Sequence, residues 1–439
     1  MTSASRTEKS MRTRKNALWI AGSAAAILTI SIIGATTSTS ASAKPRAHGE
    51  FDVVRDCGAV PDGSTDNHSA LTECIADAAD EGKTLYFPPG SYAIDGTLSV
   101  TEGGYKFYGN NRATVKIIQL DGAADIFDVD SGTAAVVNQL TLSGMELSYH
   151  STTATGTAID LTNAWRVYVQ NMGIGDNANP NFTHGGGYGI RAEGGAQLNI
   201  LETVFSYPVD TAIYAIGTGD VMLADLEVNL SNATSTGIEL DTNIGGAYMT
   251  NVNVNGGGVG LLTSNSLNGI PPNYLFVTNF LADTQANIGM DLQSAQSVVM
   301  TNSWAASAGT TGIAIGDVLG ISINDSRIYN NGGYGIEVTA GAKDVSIQNS
   351  RIAGNSRTNG GASRVAAIAL RSGASGVMIQ GNRIGPMDSF VASQSYAIRI
   401  DPGYGDVLMI TDNNLLGNIT GEIDNGATVG THWVVADNL

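Results

Sequence analysis

The sequence predicts an all-β fold, a parallel β-helix, and three observations carry that prediction. A short motif recurs about ten times: a small residue, an aliphatic, one free position and a second aliphatic. The gaps between its copies settle on one length. Between the copies, apolar and polar residues alternate, and Gly, Asn and Ser fill the breaks.

The motif is centred on Ile159, Ile190, Ile213, Ile238, Leu261, Met290, Ile313, Ile336, Ile368 and Ile398. Four of the nine successive gaps are 23 residues, and the others are the same unit with insertions. A period of this size marks a stacked repeat architecture. A second pattern follows in each unit, as VSIQNSRI at 345–352 and ISINDSRI at 321–328, with looser copies at 298–305 and 247–254. Both patterns alternate with period two, which is strand periodicity. Each unit therefore holds about three short strands joined by turns. Ten or more such coils form one domain over 101–439. The Leu ladder and helix of leucine-rich repeats are absent.

Residues 1–43 stand apart. Arg6, Lys9, Arg12, Arg14 and Lys15 precede an apolar run over 17–34, and a small-residue stretch ends in ASA at 41–43. This is the order of a signal peptide cut after Ala43, which predicts a secreted protein. An uncleaved anchor is the alternative, because the run approaches spanning length. No second long apolar run follows. Residues 44–100 then hold the N-terminal cap and first coil.

The chain carries 22 basic and 40 acidic residues. Residues 1–43 hold five of the basic ones and one acidic, so the remainder has a formal charge of −22. Such a balance argues against nucleic acid or an anionic membrane as partner. It favours a neutral or weakly charged ligand unless a site is locally basic.

Asn171, Glu202, Asp225, Asn251, Asn279, Asn302, Asp325 and Asn349 occupy one turn position in successive units. Stacked side-chain amides hydrogen-bond from layer to layer, so this column is read as structural. Trp165 and Tyr168 in AWRVYV are read as packing, with a sugar platform as the alternative.

Within 51–92, GAVPDGSTDN at 58–67, the segment 70–79 and LYFPPGSY at 85–92 resemble the N-terminal segment of the pectate-lyase-like superfamily. Its members are secreted and phage polysaccharide-active proteins. The resemblance implies a right-handed parallel β-helix whose open end is capped by a short helix. Ala70, Leu71, Cys74, Ile75 and Ala78 give that helix an apolar face. It implies a polysaccharide partner but no single reaction. Family-28-like hydrolases, lyases, epimerases and phage tailspike depolymerases share the fold. The Asn-Thr-Asp, Asp-Asp and Gly-His-Gly signature of polygalacturonase-like members is not found, nor the Asp-Pro-His of mannuronan epimerases, nor a lyase-like Arg-Pro. THGGGYG at 183–189 and DPGYG at 401–405 are faint echoes. Tailspike relatives leave monomer and homotrimer both open.

Cys57 and Cys74 are the two cysteines. Export permits a disulfide, and two buried free thiols are the alternative. Members of the superfamily usually carry an aromatic where Cys57 stands and a small residue where Cys74 stands. The paired departure supports the bridge.

In the motif the two aliphatics point inward and the free position points out. The outward column is Asp160, Arg191, Tyr214, Glu239, Leu262, Asp291, Ala314, Glu337, Ala369 and Arg399. Insertions at 174–187, 354–366 and 384–396 enter just before this strand, and another at 263–273 lies on the opposite rim. Long loops on a rigid scaffold carry function, so this face is the expected groove. Glycoside hydrolysis needs two carboxyl groups, a proton donor and a base or nucleophile. Glu239, Asp241 and Asp291 are the catalytic candidates. Asp160, Arg191, Tyr214, Glu337 and the loop residue His184 are the substrate-binding candidates.

The reaction expected is hydrolysis of a polysaccharide. The alternatives are lyase chemistry centred on Arg191, His184 and Arg399, and a non-catalytic carbohydrate-binding protein. Arg327, Arg351 and Arg383 form a further column, read first as balancing neighbouring charge, with an anionic glycan as the alternative partner. No cluster has metal-ligand spacing, so no cofactor is assigned, and scattered Asp and Asn leave Ca2+ as an open alternative.

Overall fold

The computed structural model describes residues 49–132, 136–175, 186–208, 210–357, 365–386 and 394–439. Residues 1–43, His184 and most of three insertions lie outside them. The described chain winds into a β-helix with three faces, and every strand pairing among the described residues is parallel.

The first face carries the recurring motif. It runs from Leu98–Val100 and Phe127–Val129, through Thr157–Thr162, Tyr188–Glu193, Thr211–Ile216, Thr236–Leu240 and Val259–Thr263, to Tyr396–Ile400 and Gly421–Asn425. Thirteen strands or strand segments stack here. The expected inward column is buried throughout, each residue 1% exposed or less. Fully burying one such aliphatic stabilises by about 1.5–3 kcal/mol. The small residue before it answers to close approach. A Cβ at Gly237 would stand 2.5 Å from the carbonyl oxygen of Gly260, and one at Gly260 2.6 Å from that of Gly289.

Second-face strands follow each first-face strand, for example Ala164–Gln170 and Ala196–Leu201. A sharp turn leads to the third face, for example Trp304–Ala306, Arg327–Tyr329 and Arg351–Ala353. The predicted turn column forms that corner. All eight residues are left-handed, with φ between 49° and 55°, a region that Asn and Asp enter more readily than most. Asn251 donates to Asp225 at 2.9 Å, and Asn279 to Asn251 at 2.7 Å.

A second polar ladder lies one residue further on, inside the coil. Ser303, Ser326, Ser350, Asn382 and Asn413 are each 2% exposed or less. Their side chains accept from the backbone N–H of the preceding coil at 2.9–3.4 Å, as Ser326 does from Ser303 and Asn413 from Asn382. Asn438 continues it by accepting from Asn413 at 3.1 Å. The C-terminal segment is therefore a further coil, with Trp433–Ala436 paired to Leu408–Thr411.

Helix His68–Glu81 buries Leu71, Cys74, Ile75 and Ala78 and stops at Gly82, where φ is 62°. Tyr105 of the first coils donates its hydroxyl to Ala79 O at 3.1 Å. Cys57 and Cys74 form a disulfide, with Cα atoms 5.6 Å apart. The bridge closes a 17-residue separation. Replacing both cysteines by Ser is expected to cost about 3 kcal/mol, read by urea denaturation under non-reducing conditions.

One expectation fails on the second face. Trp165 and Tyr168 do not pack inside; they are 44% and 40% exposed. Tyr168 heads a column in register with Asn199, Met222, Tyr248, Phe276 and Val299. The AWRVYV alternation breaks at Arg166, which is left-handed at φ 54°: Trp165 and Arg166 both face out, and only beyond them do Val167 and Val169 turn inward and Tyr168 outward. The Tyr248 and Phe276 rings stack at 5.1 Å and 9°.

Candidate active site on the first face

Register places the whole predicted outward column in line. Asp128 pairs with Asp160, and the pairing then runs Asp160–Arg191–Tyr214–Glu239–Leu262–Asp291–Ala314–Glu337–Ala369–Arg399. Successive coils are about 4.8 Å apart. Glu239 and Asp291 thus flank Leu262, with Cα atoms about 10 Å apart. Both are half-buried.

Their surroundings differ. Burial pushes the Glu239 carboxyl up, and the charge of Asp241 adds to this; a contact at 3.4 Å from the Ser264 hydroxyl opposes it. Burial also raises Asp291, but Gln293 donates to its Oδ2 at 2.8 Å and favours the ionised form. Glu337 adds a smaller upward push.

Asp241 is only 1% exposed, although alternation would point it outward. The rim insertion folds over it. Burial alone would raise its carboxyl, but hydrogen bonds hold it down at about 2. The donors are Ser266 N at 2.8 Å, the Ser266 hydroxyl, Thr242 N at 2.7 Å, Thr242 Oγ1 at 2.9 Å and Tyr214 Oη at 3.3 Å. Tyr214 is further set by a ring contact with Tyr188 at 5.8 Å. Asp241 therefore ties the rim loop to the strand.

Arg191 lies between Asp160, at 3.3 Å, and Glu193. Burial raises Asp160 to about 6, with Asp125 and Asp128 adding to the push and Arg191 opposing it. Replacing Arg191 by Gln is expected to move the Asp160 midpoint above 6, read by carboxyl NMR titration. The sign for stability follows. A carboxyl raised on folding has its stability contribution in full below the unfolded value near 4, and loses it as pH rises through 6. Stability attributable to Asp160 therefore falls between pH of about 4 and 6.

Glu337 is ion-paired with Arg371 at 2.6 Å, and Arg371 bridges on to Asp401 at 2.9 Å. Arg399 joins Asp401 at 2.7 Å. Arg371, Glu193, Ser264 and Ser266 were missed by the sequence reading. Arg371 and Glu193 stand two residues beyond the outward column, so extending the alternation one step would have found them. The serines belong to a loop with no periodicity. Among the described residues no group of three or more His, Cys, Asp or Glu is placed to hold a metal ion. No described helix is long and apolar enough to cross a membrane.

Residues 51–262 match the family model described as rhamnogalacturonase A/epimerase, pectate lyase-like. Residues 188–384 match the right-handed β-helix region. Two curated proteins of Aspergillus niger, a rhamnogalacturonase A and a probable rhamnogalacturonase A, are 40% identical over 84 residues, or 19% of this chain. The match spans 16% of the length of those relatives. The A-module of a mannuronan C-5 epimerase from Azotobacter vinelandii superposes with a TM-score of 0.51 and 17% identity, over 89% of this chain and 98% of that one. The N-terminal fragment of gene product 12 from bacteriophage Phi29 gives 0.54 and 13%, over 86% and 72%. At such identities the likeness is one of fold.

Proposed function

We propose, because this chain belongs to the pectate-lyase-like superfamily of right-handed parallel β-helices, that it is a secreted glycoside hydrolase cutting a polysaccharide laid along the first face. The observation that carries the reading is the Glu239–Leu262–Asp291 arrangement. It holds two half-buried carboxyls with unlike partners on either side of an apolar floor. Burial raises both carboxyls, and the shorter opposing hydrogen bond is the one to Asp291; unlike surroundings of a carboxyl pair assign acid and base.

Glu239, whose carboxyl burial and the Asp241 charge push up, gives its proton to the glycosidic oxygen. Asp291, whose ionised form Gln293 supports, takes a proton from a water that attacks the anomeric carbon. The carbon–oxygen bond breaks and the leaving sugar departs as an alcohol. With Cα atoms about 10 Å apart, the carboxyl groups can adopt the 6.5–9.5 Å separation that leaves room for this water and inverts the anomeric centre. Asp241 positions Tyr214 and the rim loop. Asp160, Arg191 and Tyr214 line one end of the groove and Glu337 the other.

Elimination is the less supported chemistry. It needs a free cation beside a uronate carboxyl, whereas Arg191, Arg371 and Arg399 are all engaged by carboxylates. The stacked Tyr248 and Phe276 rings on the second face favour a second reading, a carbohydrate-binding protein without catalysis. A polysaccharide panel including rhamnogalacturonan, read for reducing ends and for the ultraviolet absorbance of unsaturated uronates, tests all three. Reducing ends without absorbance support hydrolysis. Reducing ends with absorbance overturn it in favour of elimination. Binding without product favours the second reading.

A further inference from the structure

The third face carries a charged stripe that the proposed reaction does not use. Trp304, Arg327, Arg351 and Arg383 occupy one outward position on four successive coils. At about 4.8 Å per coil, the stripe spans roughly 14 Å. The three arginines are exposed. The sequence reading expected neighbouring acids to balance them. None of the three makes an ion pair among the described residues. The first-face arginines Arg191, Arg371 and Arg399, in contrast, all do. Three stacked unpaired cations repel one another. Their presence on a chain with 40 acidic and 22 basic residues makes this a local basic field on an acidic surface.

Trp304 adds a second feature at the head of the stripe. Its ring meets that of Tyr329 at 5.1 Å, and its Nε1 is buried with no hydrogen-bond partner. A cavity of about 360 Å³ opens there, lined by Asn279, Asn302, Trp304, Asp325 and Arg327 among others. An indole beside amides and a guanidinium suits a sugar ring with hydroxyls on its edge.

We propose that this stripe is a docking site for an acidic polysaccharide. Its chain runs along the helix axis, one sugar ring seats against Trp304, and successive carboxylates or sulfates meet Arg327, Arg351 and Arg383. The repeat of one cation per coil is comparable to the length of one sugar residue, so a regularly charged glycan stays in register with the stripe. The site is separate from the first face and stands whether or not that face hydrolyses its ligand.

Affinity electrophoresis of the full chain tests this, with polygalacturonate, chondroitin sulfate, neutral galactan or polyuridylate in the gel. Retardation is expected with polygalacturonate or chondroitin sulfate, and the stronger of the two identifies carboxylate or sulfate as the ligand group. It should weaken as salt is raised. The triple variant Arg327→Gln, Arg351→Gln, Arg383→Gln should bind roughly tenfold or more weakly. The corresponding triple Lys variant should retain most binding, which separates charge from misfolding. Trp304→Ala should weaken binding to a smaller extent. Undiminished retardation of a folded triple Gln variant would overturn the proposal. So would equal retardation by galactan, stronger retardation by polyuridylate, or none by either acidic glycan. Retardation is read without turnover, so failure of the hydrolytic reading leaves this result intact, and the reverse also holds.

Discussion

Glu239→Gln is expected to lower kcat for polysaccharide cleavage by roughly 10²–10⁴-fold, the usual contribution of a positioned proton donor. KM should change little, because the amide keeps the shape of the side chain. The fold should also be unaffected. Glu239 points out of the coil, and among the described residues the hydrogen bond at stake is the long one from Ser264. Neutralising a carboxyl that burial already disfavours in its charged form leaves stability equal or slightly raised. Asp291→Asn should show a loss of similar size, and the double variant much less than the product of the two, since acid and base act as a unit. A substrate with an activated leaving group separates the roles. It should rescue the Glu239 variant, which lacks the proton donor, and leave the Asp291 variant slow. Retention of normal kcat by Glu239→Gln would remove Glu239 from the mechanism.

Asp241→Ala is expected to act on the loop and on stability together. The carboxylate accepts from two backbone N–H groups, two hydroxyls and Tyr214, in a position 1% exposed. Removing it strands several of these donors, and hydrogen bonds to a charged group are individually worth about 1.5–3 kcal/mol. A loss of about 3 kcal/mol or more should appear in urea denaturation. Proteolysis should move to 263–273, where Leu267 and Ile270 are already exposed. Asp241→Asn should cost less, because one amide oxygen still accepts. The pH sign is fixed by the depressed carboxyl. Its stabilisation is present above the unfolded value near 4 and is lost as pH falls through about 2. An Asp241→Ala protein that unfolds as the parent does and keeps its loop intact would show that the loop is held elsewhere.

These two residues also mark where the sequence stops being legible. Glu239 and Asp241 are two residues apart, and extending the alternation of strand Thr236–Leu240 by one step assigns both to the outer surface. For Glu239 that is correct. For Asp241 it is overturned by an insertion from the next coil, which supplies Ser266 from 25 residues away. Arg191 reads as a substrate-binding residue in the sequence, and only the structure shows that Asp160, 31 residues earlier, engages it. Arg327, Arg351 and Arg383 read first as charge balance, yet among the described residues none of them makes an ion pair. Trp165 and Tyr168 read as packing and lie on the surface.

The sequence by itself determined the β-helix, its repeat, the inward Ile column, the turn column and the order of residues along the first face. Each of these depends on coil length and on period-two alternation, which are local properties written into every repeat. The tertiary structure alone decided which carboxyls are buried, which arginines are paired and which face is left with unmatched charge. Those properties depend on side chains that meet only when one coil closes on the next. Insertions of unequal length set which ones meet, and no periodic signal encodes that.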